Sequence, residues 1–192
     1  MSWAEFLERL EAHGFTREIA GEDDFNAALG AIRKMQPPKP SEPSGNAHPF
    51  LCPRLPGLIV AGKYGVGKTC LVEAITQALS LPTTEVNLAN PDDLEMLDSR
   101  WMVHCSRNLY ERNVILDDLG AESAVSEYGV RKEPVADFII RYHLIGRKRL
   151  FITTNLNTEE IDARYGGRLL SRLKDLCVPL RLSGNDKRQW KL

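Results

Sequence analysis

The chain has 192 residues, of which 43% are hydrophobic and 27% are charged. That composition is typical of a globular protein, and the length predicts one main domain with room for a small appendage. The formal net charge of -1 excludes the overall basic excess that proteins use to coat nucleic acid or acidic membranes, although a local basic face remains compatible with it.

The N-terminal ten residues carry two glutamates and no apolar core, which excludes a secretory signal peptide. No apolar run approaches the length that spans a membrane. We therefore expect a cytoplasmic protein that makes no membrane contact. The four cysteines are scattered and none forms a Cys-x-x-Cys pair, so we expect buried free thiols, not a disulfide framework or a metal site.

Two helices are predicted at the start of the chain, over residues 3–13 and over Glu22–Met35. The first shows an apolar stripe at helical spacing, formed by Trp3, Phe6, Leu7 and Leu10. Such a stripe either binds a partner or packs on the rest of the protein, and the sequence favours neither.

A proline-rich stretch over residues 37–45 follows these helices and has the composition of a semi-rigid linker. The predicted organisation is therefore a small helical segment over 1–36, a linker over 37–57, and an ATPase domain over 58–192.

After the linker, apolar runs alternate with helical patterns, which predicts a parallel sheet covered on both faces. The predicted strands are Leu58–Ala61, Thr84–Leu88, Val114–Leu116, Leu150–Thr153 and Val178–Leu182. The predicted helices are Thr69–Leu79, an interrupted stretch over Pro91–Arg112, Glu133–Leu144 and Arg168–Leu176. The fold class is thus α/β with a five-stranded parallel sheet between helices.

The segment from Gly62 to Thr69 fits the phosphate-loop pattern G-x-x-x-x-G-K-[ST]. Its glycines let successive backbone N–H groups face phosphate oxygens, and the following helix N-terminus favours anions. A preceding apolar strand and a following helix supply the context that the motif requires, which argues against a plain glycine-rich turn. The residues predicted to bind ATP are Gly62, Lys63, Tyr64, Gly65, Val66, Gly67, Lys68, Thr69 and Cys70.

Polar side chains end two of the predicted strands. Asp117 and Asp118 follow the third strand, and Asn155 follows the fourth. We predict that Asp117 and the Thr69 hydroxyl hold Mg²⁺, that Asp118 acts as the general base, and that Asn155 orients the attacking water. The alternative for Asp118 is that it caps the next segment, and Asn155 could also form a turn, a role that is compatible with orienting the water.

Spacing alone does not decide the role of two sets of basic residues. Arg168 and Arg172 are four apart and share one helix face, where arginines are usually solvated surface residues. The run 147–149 is entirely basic, and it either contacts phosphates or forms a solvated loop.

The order of these motifs resembles the AAA+ ATPases of the bacterial helicase-loader group, the DnaC/DnaI type, together with the related IstB-type transposition helpers. The resemblance extends over about Leu58–Arg188. The stretches that carry it are GKYGVGKT, VILDDLGAE, FITTN, YGGRLLSRL and LRLSGNDKR. LDDLGAE and GGRLLSRL are the most specific and look more like DnaI-type loaders than IstB-type helpers.

The resemblance implies a role for each matching position. Lys68 and Thr69 match Walker A, Asp117 and Asp118 match Walker B, and Asn155 matches sensor 1. Arg172 matches the arginine finger, with Arg168 as its companion. Because such a finger acts on a neighbouring subunit's ATP, the resemblance also implies head-to-tail self-association.

The partners implied by the resemblance are a replicative DNA helicase and single-stranded DNA. The printed sequence ends about ten residues after its last predicted strand, so we expect no C-terminal helical lid. Two alternative functions stay open at this point: an IstB-like ATPase that assists a transposase, and a nucleotide-gated assembly module that binds single-stranded DNA with little turnover.

Overall fold

The computed structural model describes residues 3–35, 56–95, 97, 109, 112–123, 125–127, 130–132, 134–145 and 148–186. The helices are α1 (Trp3–Ala12), α2 (Arg17–Ala20), α3 (Glu22–Met35), α4 (Lys68–Ala78), α5 (Pro91–Glu95), α6 (Pro134–Ile145), α7 (Thr158–Tyr165) and α8 (Gly167–Leu176). The strands are β1 (Gly57–Gly62), β2 (Thr83–Asn87), β3 (Asn113–Leu119), β4 (Val125–Glu127), β5 (Val130–Lys132), β6 (Leu150–Thr154) and β7 (Cys177–Leu182).

Five strands form one sheet in the order β2-β3-β6-β1-β7, and every adjacent pair in it is parallel. The predicted five-stranded parallel sheet is thus confirmed, and each predicted strand overlaps an observed one. The short strands β4 and β5 form a separate antiparallel pair.

The two faces of the sheet carry separate hydrophobic clusters. The β1–β2 connection crosses the sheet in the direction opposite to the later connections, so right-handed crossovers place α4 on one face and α6, α7 and α8 on the other. Side chains along a strand alternate between these faces. In β3, Ile115 belongs to the α4 cluster, whereas Val114 and Leu116 belong to the opposite one.

The N-terminal helices pack on the α4 face. Phe6 and Leu10 are buried in the same cluster as residues of α4, β1 and β7, and Trp3 and Leu7 pack against it. Trp3 also stacks on Phe6 and lies beneath the guanidinium of Arg33, 4.8 Å from the ring centroid. The apolar stripe of α1 is therefore used for intramolecular packing. The division into segment, linker and ATPase domain stays a prediction.

A buried carboxylate ties α3 to the end of β7. Asp24 is 5% exposed and accepts hydrogen bonds from the backbone N–H of Ser183, the Ser183 hydroxyl and the backbone N–H of Gly184, at 2.9–3.1 Å. The residues that follow the last strand are thus held by the N-terminal segment.

Four elements were not predicted: the helices α2 and α7 and the strands β4 and β5. Of the predicted helical stretch over 91–112, the described part contains α5, and most of the remainder lies outside the described residues, as do the linker over 37–55 and Arg147. Among the helices that the structure describes, none is both long and apolar enough to cross a membrane.

Candidate nucleotide site

The phosphate loop connects β1 to α4, as the motif predicts. β1 ends at Gly62, and α4 begins at Lys68. Gly65 and Gly67 have φ values of 75° and 94°, a left-handed backbone that side-chain-bearing residues rarely adopt. These two glycines are therefore required by the course of the loop. Tyr64 at its tip is 66% exposed.

Lys68 lies at the centre of the loop and is buried. Its ammonium group donates to the carbonyl oxygens of Gly62 and Lys63 at 3.1 and 2.9 Å, and to the side-chain oxygen of Asn155 at 2.7 Å. A lysine ammonium has three N–H donors, so these contacts fix its position. The charge is thereby held inside the loop and next to the end of β6.

Asp117 is joined to the loop and to the neighbouring strand through one carboxylate oxygen. That oxygen accepts from the Thr69 hydroxyl at 2.8 Å and from the Thr153 hydroxyl at 2.7 Å. The two residues predicted to hold Mg²⁺ are therefore in direct contact. Thr153 is fully buried and was missed from the sequence, because a threonine inside an apolar strand gives no signal of its own.

Asp118 occupies an irregular position at the end of β3. The β3–β6 register shifts between Leu116 and Leu119, and Asp118 has a φ of 61°, which is uncommon outside glycine. Its backbone N–H donates to the Thr153 hydroxyl at 2.9 Å. Irregular pairing of this kind re-aims side chains, and here the Asp118 carboxylate contacts Asn155 whereas the Asp117 carboxylate contacts Thr69 and Thr153.

Asn155 bridges the loop and the acidic pair. Its side-chain oxygen accepts from Lys68, and its amide nitrogen donates to the Asp118 carboxylate at 3.2 Å. The side chain therefore has one orientation that satisfies both neighbours. The turn-forming alternative for Asn155 does not account for these two contacts.

The site has oxygen ligands of the kind that Mg²⁺ prefers, although the protein supplies only part of a coordination shell. A hydroxyl and a carboxylate, from Thr69 and Asp117, supply hard oxygen atoms. Within the described residues, no group of three or more His, Cys, Asp or Glu side chains could hold a metal ion. This fits a magnesium ion that takes its other ligands from phosphates and water.

Negative charge is concentrated beside this oxygen pair. Burial raises the pKa of the Glu85 carboxyl on β2, and the carboxylates of Glu73, Asp117 and Asp93 raise it further. A cation bound at Asp117 would relieve that repulsion.

The two candidate arginines are not among these hydrogen-bonded residues. Arg168 is exposed on α8, and Arg172 on the same helix forms an ion pair with Asp175 at 3.8 Å. The described structure thus leaves the arginine pair on the outer side of a helix. Cys70 is exposed on the first turn of α4, so the expectation that the cysteines are buried is wrong for this residue, whereas Cys177 is buried.

A second polar cluster, which the sequence did not reveal, fixes the turn after β3. Glu122 is buried and accepts from the backbone N–H of Gly120 at 2.8 Å and from the Tyr165 hydroxyl. Arg164 donates to the carbonyls of Gly120 and Glu122 and pairs with the Glu122 carboxylate at 3.4 Å. The turn that follows the acidic pair is therefore held against the C-terminal end of α7.

A cavity of about 740 Å³ lies beside the loop, between β1, β7 and the helices α7 and α8. Lys63 and Asn155 line it near the loop, and Leu170 and Leu173 are among its apolar side chains. Its volume falls within the range of small-molecule sites.

No protein-family model matches the chain. Over 155 residues the chain is 27% identical to the replicative helicase loader DnaI of Bacillus subtilis (strain 168), in a match that covers 69% of this chain and 47% of that protein. The chain therefore spans about half the length of this curated relative.

Two solved structures share the fold. A crystal structure of DnaI superposes with a TM-score of 0.60 at 21% identity, over 94% of this chain and 100% of that one. A crystal structure of the DnaC helicase loader gives a TM-score of 0.51 at 20% identity, over 66% of this chain and 78% of that one. The fold is that of an AAA+ P-loop protein, and the resemblance to the DnaC/DnaI-type helicase-loader group is confirmed.

Proposed function

We propose that this protein binds and hydrolyses ATP with Mg²⁺ and acts as a loader of a replicative DNA helicase. One observation carries the hydrolase part. Lys68, Asn155 and Asp118 form a continuous hydrogen-bonded chain, next to the contact between Thr69 and Asp117. This joins a phosphate cradle to a carboxylate that can accept a proton.

Each of the three hydrogen-bonded residues has its own role in the proposed reaction. Lys68 exchanges contacts with loop carbonyls for contacts with phosphate oxygens, and places its charge where negative charge grows during transfer. Asp118 accepts a proton from the attacking water, and Asn155 holds both that carboxylate and the lysine in position.

Magnesium fits the Thr69 and Asp117 oxygens. When bound there, it would neutralise charge on the phosphate oxygens. Thr153 also holds the carboxylate of Asp117, through a hydrogen bond of 2.7 Å to the same oxygen that Thr69 contacts. Asp117 is thus positioned before any ligand arrives.

Arg172 is proposed to complete the site of a neighbouring subunit, with Arg168 beside it. Arg168 is exposed on α8 and Arg172 is partly exposed, which supports this, because a finger must reach out of its own subunit. A head-to-tail contact of this kind produces rings or open filaments.

Measurement of phosphate release tests the hydrolase proposal. Wild type, Asp118→Asn, Arg172→Ala and the control Arg141→Ala, an exposed arginine on α6, are compared with and without single-stranded DNA. We expect Arg172→Ala to lower turnover about 10³-fold and the control to match wild type. Unchanged turnover in Arg172→Ala would disprove the finger. No turnover in wild type, with ATP still bound, would favour the assembly-module alternative.

The helicase partner is proposed from the similarity to the replicative helicase loader DnaI, and single-stranded DNA from the resemblance of the sequence motifs to the loader group. The full chain is the appropriate bait for a pull-down, because α1 and α3 pack on the ATPase core. Recovery of a replicative helicase would support the loader assignment. Recovery of a transposase in its place would support the IstB-like alternative.

A further inference from the structure

The segment that follows β7 lies against the phosphate loop. β1 and β7 are parallel neighbours with Gly62 opposite Leu182, so the chain leaves both strands at the same level of the sheet. The loop over 63–67 and the segment over 183–186 therefore emerge side by side.

The carboxylate of Asp186 reaches the loop at Gly65. A Cβ atom built on Gly65 would lie 1.7 Å from one carboxylate oxygen of Asp186 and 2.8 Å from the other. A carboxylate thus contacts the backbone of a loop whose glycine conformations suit it to bind phosphate oxygens. Asp186 is otherwise solvent-exposed, so its position is not the result of burial in the core.

Asp24 anchors the segment over 183–186. Its four hydrogen bonds hold Ser183 and Gly184, which lie three and two residues before Asp186. Because Asp24 belongs to α3, the N-terminal segment sets the position of the carboxylate at the loop.

We infer that Asp186 competes with the phosphates of the nucleotide for the loop, so that ATP must displace this carboxylate to bind. The inference rests on the proposed function and adds a way in which nucleotide binding at the same site is regulated. Two negative groups in contact repel, and the repulsion grows with the charge of the phosphate chain. The anchor at Asp24 makes that displacement depend on the N-terminal helices.

Equilibrium titration of the full chain with AMP, ADP and ATP in the presence of Mg²⁺ tests the inference. Asp186→Asn removes the charge with little change of shape, and Asp186→Glu keeps the charge. Asp137→Asn, an exposed aspartate on α6, is the matched control for the loss of one negative charge.

We expect Asp186→Asn to bind ATP about tenfold more tightly than wild type, with a smaller gain for ADP and the smallest for AMP. The gain should shrink as salt is raised, because solvent-exposed charges are screened. Asp186→Glu and Asp137→Asn should bind like wild type. Asp24→Asn should show part of the gain, because its anchor is weakened.

Equal ATP affinity in Asp186→Asn and wild type would overturn the inference. Weaker affinity in Asp186→Asn would overturn it as well, because Asp186 would then be a contact of the nucleotide. If neither protein binds ATP, the proposed function itself fails, and this result is distinct from the other two.

Discussion

Replacement of Asp24 by asparagine should weaken the joint between the N-terminal helices and the end of β7. Three donors, two on Ser183 and one on Gly184, share the two carboxylate oxygens of Asp24 in four hydrogen bonds. An asparagine offers one acceptor oxygen and turns an N–H donor toward the remaining donors. The loss of charge-assisted bonds, each worth about 1.5–3 kcal/mol, predicts a fall of about 3 kcal/mol in the free energy of unfolding.

For a protein of this length, that loss corresponds to a decrease in Tm of about 6–12 °C. Urea unfolding followed by circular dichroism measures it directly. Asp23→Asn is the matched control, because Asp23 is exposed on the same helix turn and should cost at most about 1 kcal/mol through the helix dipole. Ser183→Ala removes the hydroxyl alone, and its loss of unfolding free energy should be intermediate between those of Asp23→Asn and Asp24→Asn. Equal losses for Asp23→Asn and Asp24→Asn would refute the role of the anchor.

Thr153→Val removes the hydroxyl that holds both acidic residues, so turnover at saturating ATP should fall at least about tenfold while ATP affinity changes little; Thr153→Ser should restore it. Glu122→Gln breaks a buried ion pair and should lower the free energy of unfolding by about 2–4 kcal/mol, as thermal melts would show. Because the pKa of Glu85 is raised in the folded state, its contribution to stability falls as pH rises through that pKa, and Glu85→Gln should remove this decline from the Tm–pH profile. Iodoacetamide should modify Cys70 in the folded protein, whereas burial raises the pKa of the Cys177 thiol and should delay its modification until unfolding, as mass spectrometry of each cysteine would reveal.

The middle of the sheet could be predicted because β3 and β6 are buried on both faces. Such strands appear in a sequence as short, continuous apolar runs, and Leu150–Thr153 is one that corresponds closely to the observed β6. The runs that form β3 and β6 end at polar residues at the carboxyl edge, where the carboxyl ends of parallel strands meet. The meeting of Asp117, Asp118 and Asn155 followed from this rule.

The missed elements lacked either length or a periodic pattern. The β4 and β5 strands have three residues each, too few to show alternation. Helix α7 did carry a local signal, since Asn157 and Glu160 form a capping box at its start. Reading that pattern would have placed the helix. The ion pair between Glu122 and Arg164 links residues 42 positions apart in sequence, and neither residue type at those positions indicates the other.

Distant pairs of this kind determine how the ends of the chain relate to the phosphate loop. Asp24 and Ser183 are 159 residues apart in sequence. They meet because β7 lies beside β1 in the sheet, and α3 packs with α4 on the face of the sheet that both helices cover. That same strand pairing brings Asp186 to Gly65. Any contact that moves α3 therefore acts on the segment that touches the phosphate loop. A partner that bound the N-terminal helices would need no contact with the nucleotide to alter its affinity.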